Sequence, residues 1–206
     1  YLISKSTKNF EDARIDALAK GGYLAQFENN EEATNVWTEI SSIISTLSSE
    51  FGATRASDGG NSAYIWIGGS DGDTVSTLTS TSWNWHWIGS LDPILKTRSE
   101  WGNGSLGSEP DNNNGTQHRL ALGLEIWPSG FSSPGYGNAG EWNDINSSNN
   151  LWYLIEFDNQ IISGTSSKDS LKGSSGNDTI DGKNNYDEVT FTGDYSDYTI
   201  TTSNNN

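Results

Sequence analysis

An α+β fold is predicted by three features of the sequence: two amphipathic helical segments come first, short apolar runs broken by turn residues follow, and a Gly- and Asp-rich nine-residue period closes the chain. Residues 1–3 read as a short strand. Asn9 is placed to cap a helix in which Phe10, Ala13, Ala17 and Leu18 share one face, and Gly21 and Gly22 stop it. In a second helix Ala33, Val36, Trp37, Ile40, Ile43, Ile44 and Leu47 recur at three- and four-residue spacing, behind an acidic first turn of Glu31 and Glu32 that suits the positive end of the helix dipole. From residue 53 onward that period is lost. Apolar runs at residues 64–67, 83–88, 120–124 and 151–157 are separated by Gly, Asn, Ser and Pro, which is the pattern of antiparallel strands. Long irregular stretches lie between Trp101 and Trp142, and loops of that length in a compact domain are usually functional or disordered.

Composition narrows the classes of function. The chain of 206 residues suits one main domain with a smaller appendage, placed here at residues 1–158 and 159–206. Acidic residues outnumber basic ones by 27 to 11, giving a net charge of -16 with no basic stripe, so nucleic acid and anionic membrane surfaces are excluded as partners. Nine Trp, eight Tyr and six Phe supply buriable surface that a disordered acidic chain lacks. Cysteine is absent, so long loops need another fastening, and bound calcium is the obvious one in so acidic a chain. No apolar run approaches the roughly 20 residues of a membrane span, so no membrane insertion is expected, and no signal-peptide pattern opens the chain. Tyr1 leads directly into an apolar run, as in a fragment of something longer whose targeting signals lie elsewhere.

The nine-residue period occupies three consecutive blocks, residues 164–172, 173–181 and 182–190. Each opens on Gly, carries Asp at its sixth place (Asp169, Asp178, Asp187) and an aliphatic residue at its eighth (Leu171, Ile180, Val189), and the middle block adds Gly176. This is the pattern of a calcium-binding parallel β-roll, in which Gly-rich turns hold the metal and the aliphatic places fill the interior. The second glycine of that pattern is replaced by Thr165, Ser174 and Lys183, which weighs against full ion occupancy.

Chemistry concentrates in two short motifs. Glu109-Pro110-Asp111 sits in one long loop, and Trp142-Asn143-Asp144 just before a strand. Calcium takes about six to eight oxygen ligands from carboxylates, amide carbonyls and waters, and Glu109, Asp111, Asn143 and Asp144 offer such a set. A cis peptide at Pro110 would turn both flanking side chains toward one point. Strand alternation places Trp83, Trp85 and Trp87 on one face, read as core in preference to a sugar-stacking platform. His86 and His118 have no His or Cys partner close in sequence that would suggest zinc.

Taken in order, the early helix ending in Gly21-Gly22-Tyr23-Leu24-Ala25, the Glu31-Glu32 helix start, Trp66-Ile67-Gly68, the Trp83/Trp85/Trp87 cluster, Glu-Pro-Asp, and Trp-Asn-Asp followed by Trp152-Tyr153-Leu154-Ile155-Glu156-Phe157 give residues 1–158 a resemblance to a C-type lectin-like domain. That resemblance implies a double-looped α+β fold with two helices, antiparallel sheets and a long calcium-binding loop, the calcium being coordinated further by two neighbouring hydroxyls of a sugar. It implies Gln117 as one more ligand, where an acidic residue is common in the family, and His118 as a residue that could edge the sugar. The family's usual cysteine pairs are missing, as in its cysteine-free bacterial members. Its usual loop triplets are Glu-Pro-Asn for mannose-, glucose- and fucose-type hydroxyls and Gln-Pro-Asp for galactose. Glu-Pro-Asp mixes them and alters the order of hydrogen-bond donors and acceptors, which leaves the sugar's identity open; a fucose/mannose-type glycan is the expectation taken from the resemblance.

With the tail included, its nine-residue repeats followed by strand-like residues 195–201, the chain resembles the ligand-binding end of a repeats-in-toxin adhesin of a Gram-negative bacterium. This implies an extracellular cell-surface location reached by type I secretion, cell-surface glycans as partners, a larger adhesin chain, and further calcium at Asp169, Asp178 and Asp187. The expected function is therefore a calcium-dependent carbohydrate-binding module and not an enzyme. The alternatives are a protein- or ice-binding member of the same fold, and a glycan-processing enzyme that uses paired carboxylates.

Overall fold

The computed structural model describes residues 1–158, 161–173 and 178–190. Ser174, Gly176 and the strand expected over residues 195–201 lie outside the described residues. The chain divides into two compact units, Tyr1–Glu156 and Phe157–Asn206.

In the first unit β1 (Leu2–Lys8) leads into α1 (Phe10–Ala19), whose N-terminus is closed by Asn9 Oδ1 accepting from the Asp12 amide at 2.9 Å. After β2 (Tyr23–Leu24), α2 (Asn30–Thr46) starts in the same way, with Asn29 Oδ1 accepting from the Glu32 amide at 2.9 Å. Short strand β3 (Arg55–Ala56) precedes β4 (Ser62–Ser70), and β5 (His86–Trp87) is all the regular strand that residues 83–88 form. The remaining strands are β6 (Arg119–Gly123), β7 (Trp142–Ile145) and β8 (Leu151–Glu156). Asn143 and Asp144 thus stand ahead of β8, as the sequence suggested, but also lie within a strand of their own, opposite Ala121 and Leu120 of β6.

The main path through the sheet runs β1-β8-β4-β6-β7. Its pairs are antiparallel except β4 with β8, which run parallel. Every residue of β4 is buried, which explains its apolar composition: it is held between β8 and β6 and faces protein on both sides. Pairing of Leu2 with Ile155 joins the first and last strands of the unit, and the long irregular stretches emerge between β4 and β7. This is the double-looped α+β layout that the resemblance implies.

Helix faces depart from expectation at two places. Leu18 and Ile43 are each 52% exposed, whereas Phe10, Ala13 and Ala17 of α1 and Ala33, Val36, Ile40 and Ile44 of α2 are buried. Leu18 is rotated roughly 80° from Phe10 about the helix axis, too far for one buried stripe. Trp85 and Trp87 are core residues, with Trp83 packed against them, and Trp101 and Trp142 complete an edge-on aromatic stack.

The second unit, among its described residues, consists of β9 (Ile161–Ser163), β10 (Ser170–Lys172), β11 (Thr179–Asp181) and β12 (Glu188–Thr190). β9 pairs parallel with β11 and β10 with β12, so each strand lies beside the one two repeats on, with Ile162 opposite Ile180 and Leu171 opposite Val189. Leu171 and Ile180 are only half-buried and Val189 is exposed, which makes a thin interior. No helix among the described residues is long and apolar enough to cross a membrane.

Candidate metal centre

Strand β7 carries Asn143 and Asp144 to the foot of the loop that holds Glu109 and Asp111. Asp144 is buried, and its two oxygens accept from the Asp111 amide at 3.1 Å and the Asn112 amide at 2.8 Å. This carboxylate therefore shapes the loop itself. Glu109 is also buried: Oε2 accepts from the Asp111 amide at 3.1 Å and Oε1 from the Trp127 indole at 3.3 Å. The Glu109–Pro110 peptide is cis. Beyond Asp111, Asn112 and Asn114 take up left-handed backbone at φ 46° and 59°, a conformation Asn tolerates better than most residues.

One oxygen from each of Glu109, Asp111 and Asp144 can be chosen so that all lie within 4.8 Å of one another; among the described residues this is the one such group of acidic, His or Cys side chains. Clustering at this distance has an electrostatic cost. Burial and the neighbouring Asp111 raise the Glu109 carboxyl from an ordinary 4.5 to about 7. Asp144 is raised well above its ordinary value by burial and then by Glu109 and Asp111, and Asp111 is raised by burial.

Asn143 adds the observation that tests whether a cation fits. Its Nδ2 donates to the Tyr64 hydroxyl at 3.0 Å, and that hydroxyl donates to Gly59 O at 2.9 Å. The amide is thereby oriented with Oδ1 left over, buried and without a hydrogen-bond partner. An unmet buried acceptor costs on the order of 1–3 kcal/mol, and a cation beside three carboxylates would meet it. The donor set, all oxygen and mostly anionic, suits a hard cation such as calcium. Gln117 comes to the same place with its ends partly engaged: Oε1 accepts from the Asn113 amide at 2.6 Å, while Nε2 donates to Asp58 O at 3.0 Å and Oδ2 at 3.2 Å.

A cavity of about 320 Å³ opens beside these groups, lined by Glu109, Asp111, Gln117 and Asn143 together with the 57–60 loop, Trp127, Pro128 and Tyr136. A more open depression of about 360 Å³ beside Tyr1 and α2 lies elsewhere, and Asn143 is not part of its lining.

The structure thus gathers Glu109, Asp111, Gln117, Asn143 and Asp144. It does not bring His118 to the cavity lining, because that ring is engaged with Asp71 Oδ1 at 3.0 Å and lies 3.2 Å from Gly115 O. Nor do Asp169, Asp178 and Asp187 form a three-carboxylate group: Asp187 Oδ1 accepts from the Asp169 amide at 2.9 Å, and Asp169 accepts from the Thr165 amide at 2.6 Å within its own turn.

Sequence reasoning missed Asn112, Trp127 and Tyr64. Asn112 Oδ1 accepts from the Gln117 amide at 3.0 Å and locks the loop. Trp127 lies so close to Gly123 and Gly137 that a β-carbon on either would come within 2.4 and 2.2 Å of its ring. The Asn run 112–114, with its tolerance of left-handed backbone, was a usable signal for the loop; nothing local to Tyr64 announces its partner.

Neither a protein-family model nor a curated protein matches the chain. Among solved structures, the chain is similar to human lithostathine (18% identity, 76% of this chain and 89% of that one, TM-score 0.47). It is also similar to the carbohydrate-recognition domain of the mouse scavenger receptor C-type lectin (19%, 74% and 83%, 0.44). A third similar structure is the herring type II antifreeze protein (19%, 75% and 86%, 0.43).

Proposed function

We propose that the first unit is a calcium-dependent carbohydrate-binding module. The observation that carries this reading is the buried, unpartnered Asn143 Oδ1 beside the Glu109–Asp111–Asp144 group. Glu109, Asp111, Asn143 and Asp144 would hold the ion, with the Gln117 carbonyl as a fifth contributor. When bound, calcium supplies open coordination positions for two neighbouring hydroxyls of a fucose/mannose-type sugar. The chain's own part is to accept: ionised Glu109 and Asp111 take hydrogen bonds from those hydroxyls, and Asp144 keeps the loop in shape beneath them. Carboxylates committed to a cation stay ionised, which favours binding over a glycosidase's proton transfers.

A single such site should hold a monosaccharide at about millimolar affinity, roughly -4 kcal/mol, with strong attachment coming from many copies on one surface. The wider reading is an extracellular bacterial adhesin of which this chain is part. Its tail turns would take calcium through Asp169, Asp178 and Asp187, and its location would be the cell surface.

Calorimetric titration of methyl mannoside and methyl fucoside, with calcium and with chelator, tests the module. Binding abolished by chelator and by Glu109→Gln supports it; binding indifferent to chelator points instead to a protein- or ice-binding surface. Asp144→Asn is a second variant that keeps the side chain's size and one acceptor for the two loop amides; its NH2 would stand against the other amide N–H, so the loop's shape is checked alongside binding. For the tail, circular dichroism unchanged by millimolar calcium would remove the metal from its turns.

A further inference from the structure

Resting on the carbohydrate-binding reading, we propose that the preferred ligand is an amino sugar with a free ammonium group, and that uronates and sialates are rejected. The argument is the donor and charge census of the cavity beside the metal centre. Its buried floor has three strong side-chain donors, and each is spent on protein: Asn143 Nδ2 on Tyr64, Gln117 Nε2 on Asp58, and the Trp127 indole on Glu109. Asp111 can only accept. At depth this leaves acceptors, of which Asn143 Oδ1 is the one that calcium would take; the donors that remain in the lining, on Ser57, Asn113, Asn114 and Tyr136, belong to exposed or half-buried residues.

The charges point the same way. Asp58, Glu109 and Asp111 line the cavity, and no Lys, Arg or His is among the described residues that line it. Arg55, on the neighbouring strand, is taken up by Glu125 at 2.7 Å and Ser129 Oγ at 3.0 Å and is not part of the lining. A bound calcium would offset two of the charges on Asp58, Glu109, Asp111 and Asp144, and the remainder stays negative. An ammonium brings three donors and a positive charge to such a surface, whereas a sugar carboxylate brings only acceptors and a like charge. Half-buried Tyr136 and Pro128 give the apolar wall against which the ring's C–H face can lie.

The test uses the full chain with saturating calcium, at low salt and at a pH where the sugar amine is protonated, titrated with methyl glucoside, methyl glucosaminide, methyl N-acetylglucosaminide and methyl glucuronide. The glucosaminide should bind about five-fold or more tighter than the glucoside or its N-acetyl analogue, the glucuronide weakest of the four, and the spread should shrink as salt screens it. Asp58→Asn should narrow the ratio of glucosaminide to glucoside affinity; because the readout is a ratio, a general loss of affinity does not imitate it. Equal affinity for amine and neutral sugar, or binding of the glucuronide as tightly as the glucoside, overturns this inference and leaves the lectin reading standing. Calcium uptake without binding of any of the four sugars, or no calcium uptake, overturns the lectin reading and this inference with it.

Discussion

At the scale of single residues, the cluster of Glu109, Asp111 and Asp144 is a place where the fold tolerates strain in its electrostatics. A carboxyl that holds its proton more tightly when folded contributes stability that is present at low pH and is lost as pH rises through its folded value. For Glu109 that window runs from an ordinary 4.5 up to about 7. The metal-free protein should therefore melt at progressively lower temperature as pH rises across that window, and calcium should reverse the trend; a melting temperature in chelator that stays flat or climbs there contradicts the account. Asn143 gives a second prediction. Asn143→Ala removes an unmet acceptor along with the hydrogen bond to Tyr64, so metal-free stability should change by no more than about 1 kcal/mol. Calcium affinity should meanwhile fall about ten-fold or more, read by calorimetry. Glu109, Asp111, Asn143 and Asp144 were legible in the sequence because their oxygen chemistry sits in two compact motifs. Tyr64 and Trp127 were not, because what they do depends on an amide and a carboxylate that only the folded chain brings to them.

At the scale of elements, helix starts were readable and helix faces less so. Asn9 and Asn29 both act as the caps their residue type suggests, and Asn29→Ala should cost about 1 kcal/mol in chemical denaturation. Counting apolar residues at helical spacing made the buried stripe of α2 too wide. Ile40 is buried and Ile43 is not, so Ile40→Ala should cost about 2–4 kcal/mol and Ile43→Ala less than about 1. Equal losses for the two would mean that the exposed face of α2 is covered in solution. That Trp142-Asn143-Asp144, which stands ahead of β8, is itself a strand was missed for a related reason. A strand of two polar residues between Trp and Ile has no clear alternation, and only its pairing with β6 defines it.

At the scale of the whole molecule, the two units rest on different kinds of support. The first has a continuous core of aromatic and aliphatic side chains, and its first and last strands in sequence pair with each other. The second, in its described residues, has parallel strand pairs over a thin interior, and stacked repeats are stable only through their neighbours. Limited proteolysis in chelator should therefore cut beyond residue 158 well before the first unit is attacked, and added calcium should slow those cuts. Calcium at 100 times its dissociation constant would add about 2.7 kcal/mol to whichever unit binds it.

The antiparallel contact of Leu2 with Ile155 brings the unit's way in and its way out to one spot. Tension pulling those two ends apart would meet the hydrogen bonds of β1 and β8 one after another, as a zip meets its teeth, and not all at once in shear. The oxygen cluster, formed by β7 and the loop ahead of β6, lies outside that line of force. Opened that way, the unit would lose β1 first, while the pairing of β4, β6 and β7 beside the cluster stayed in place.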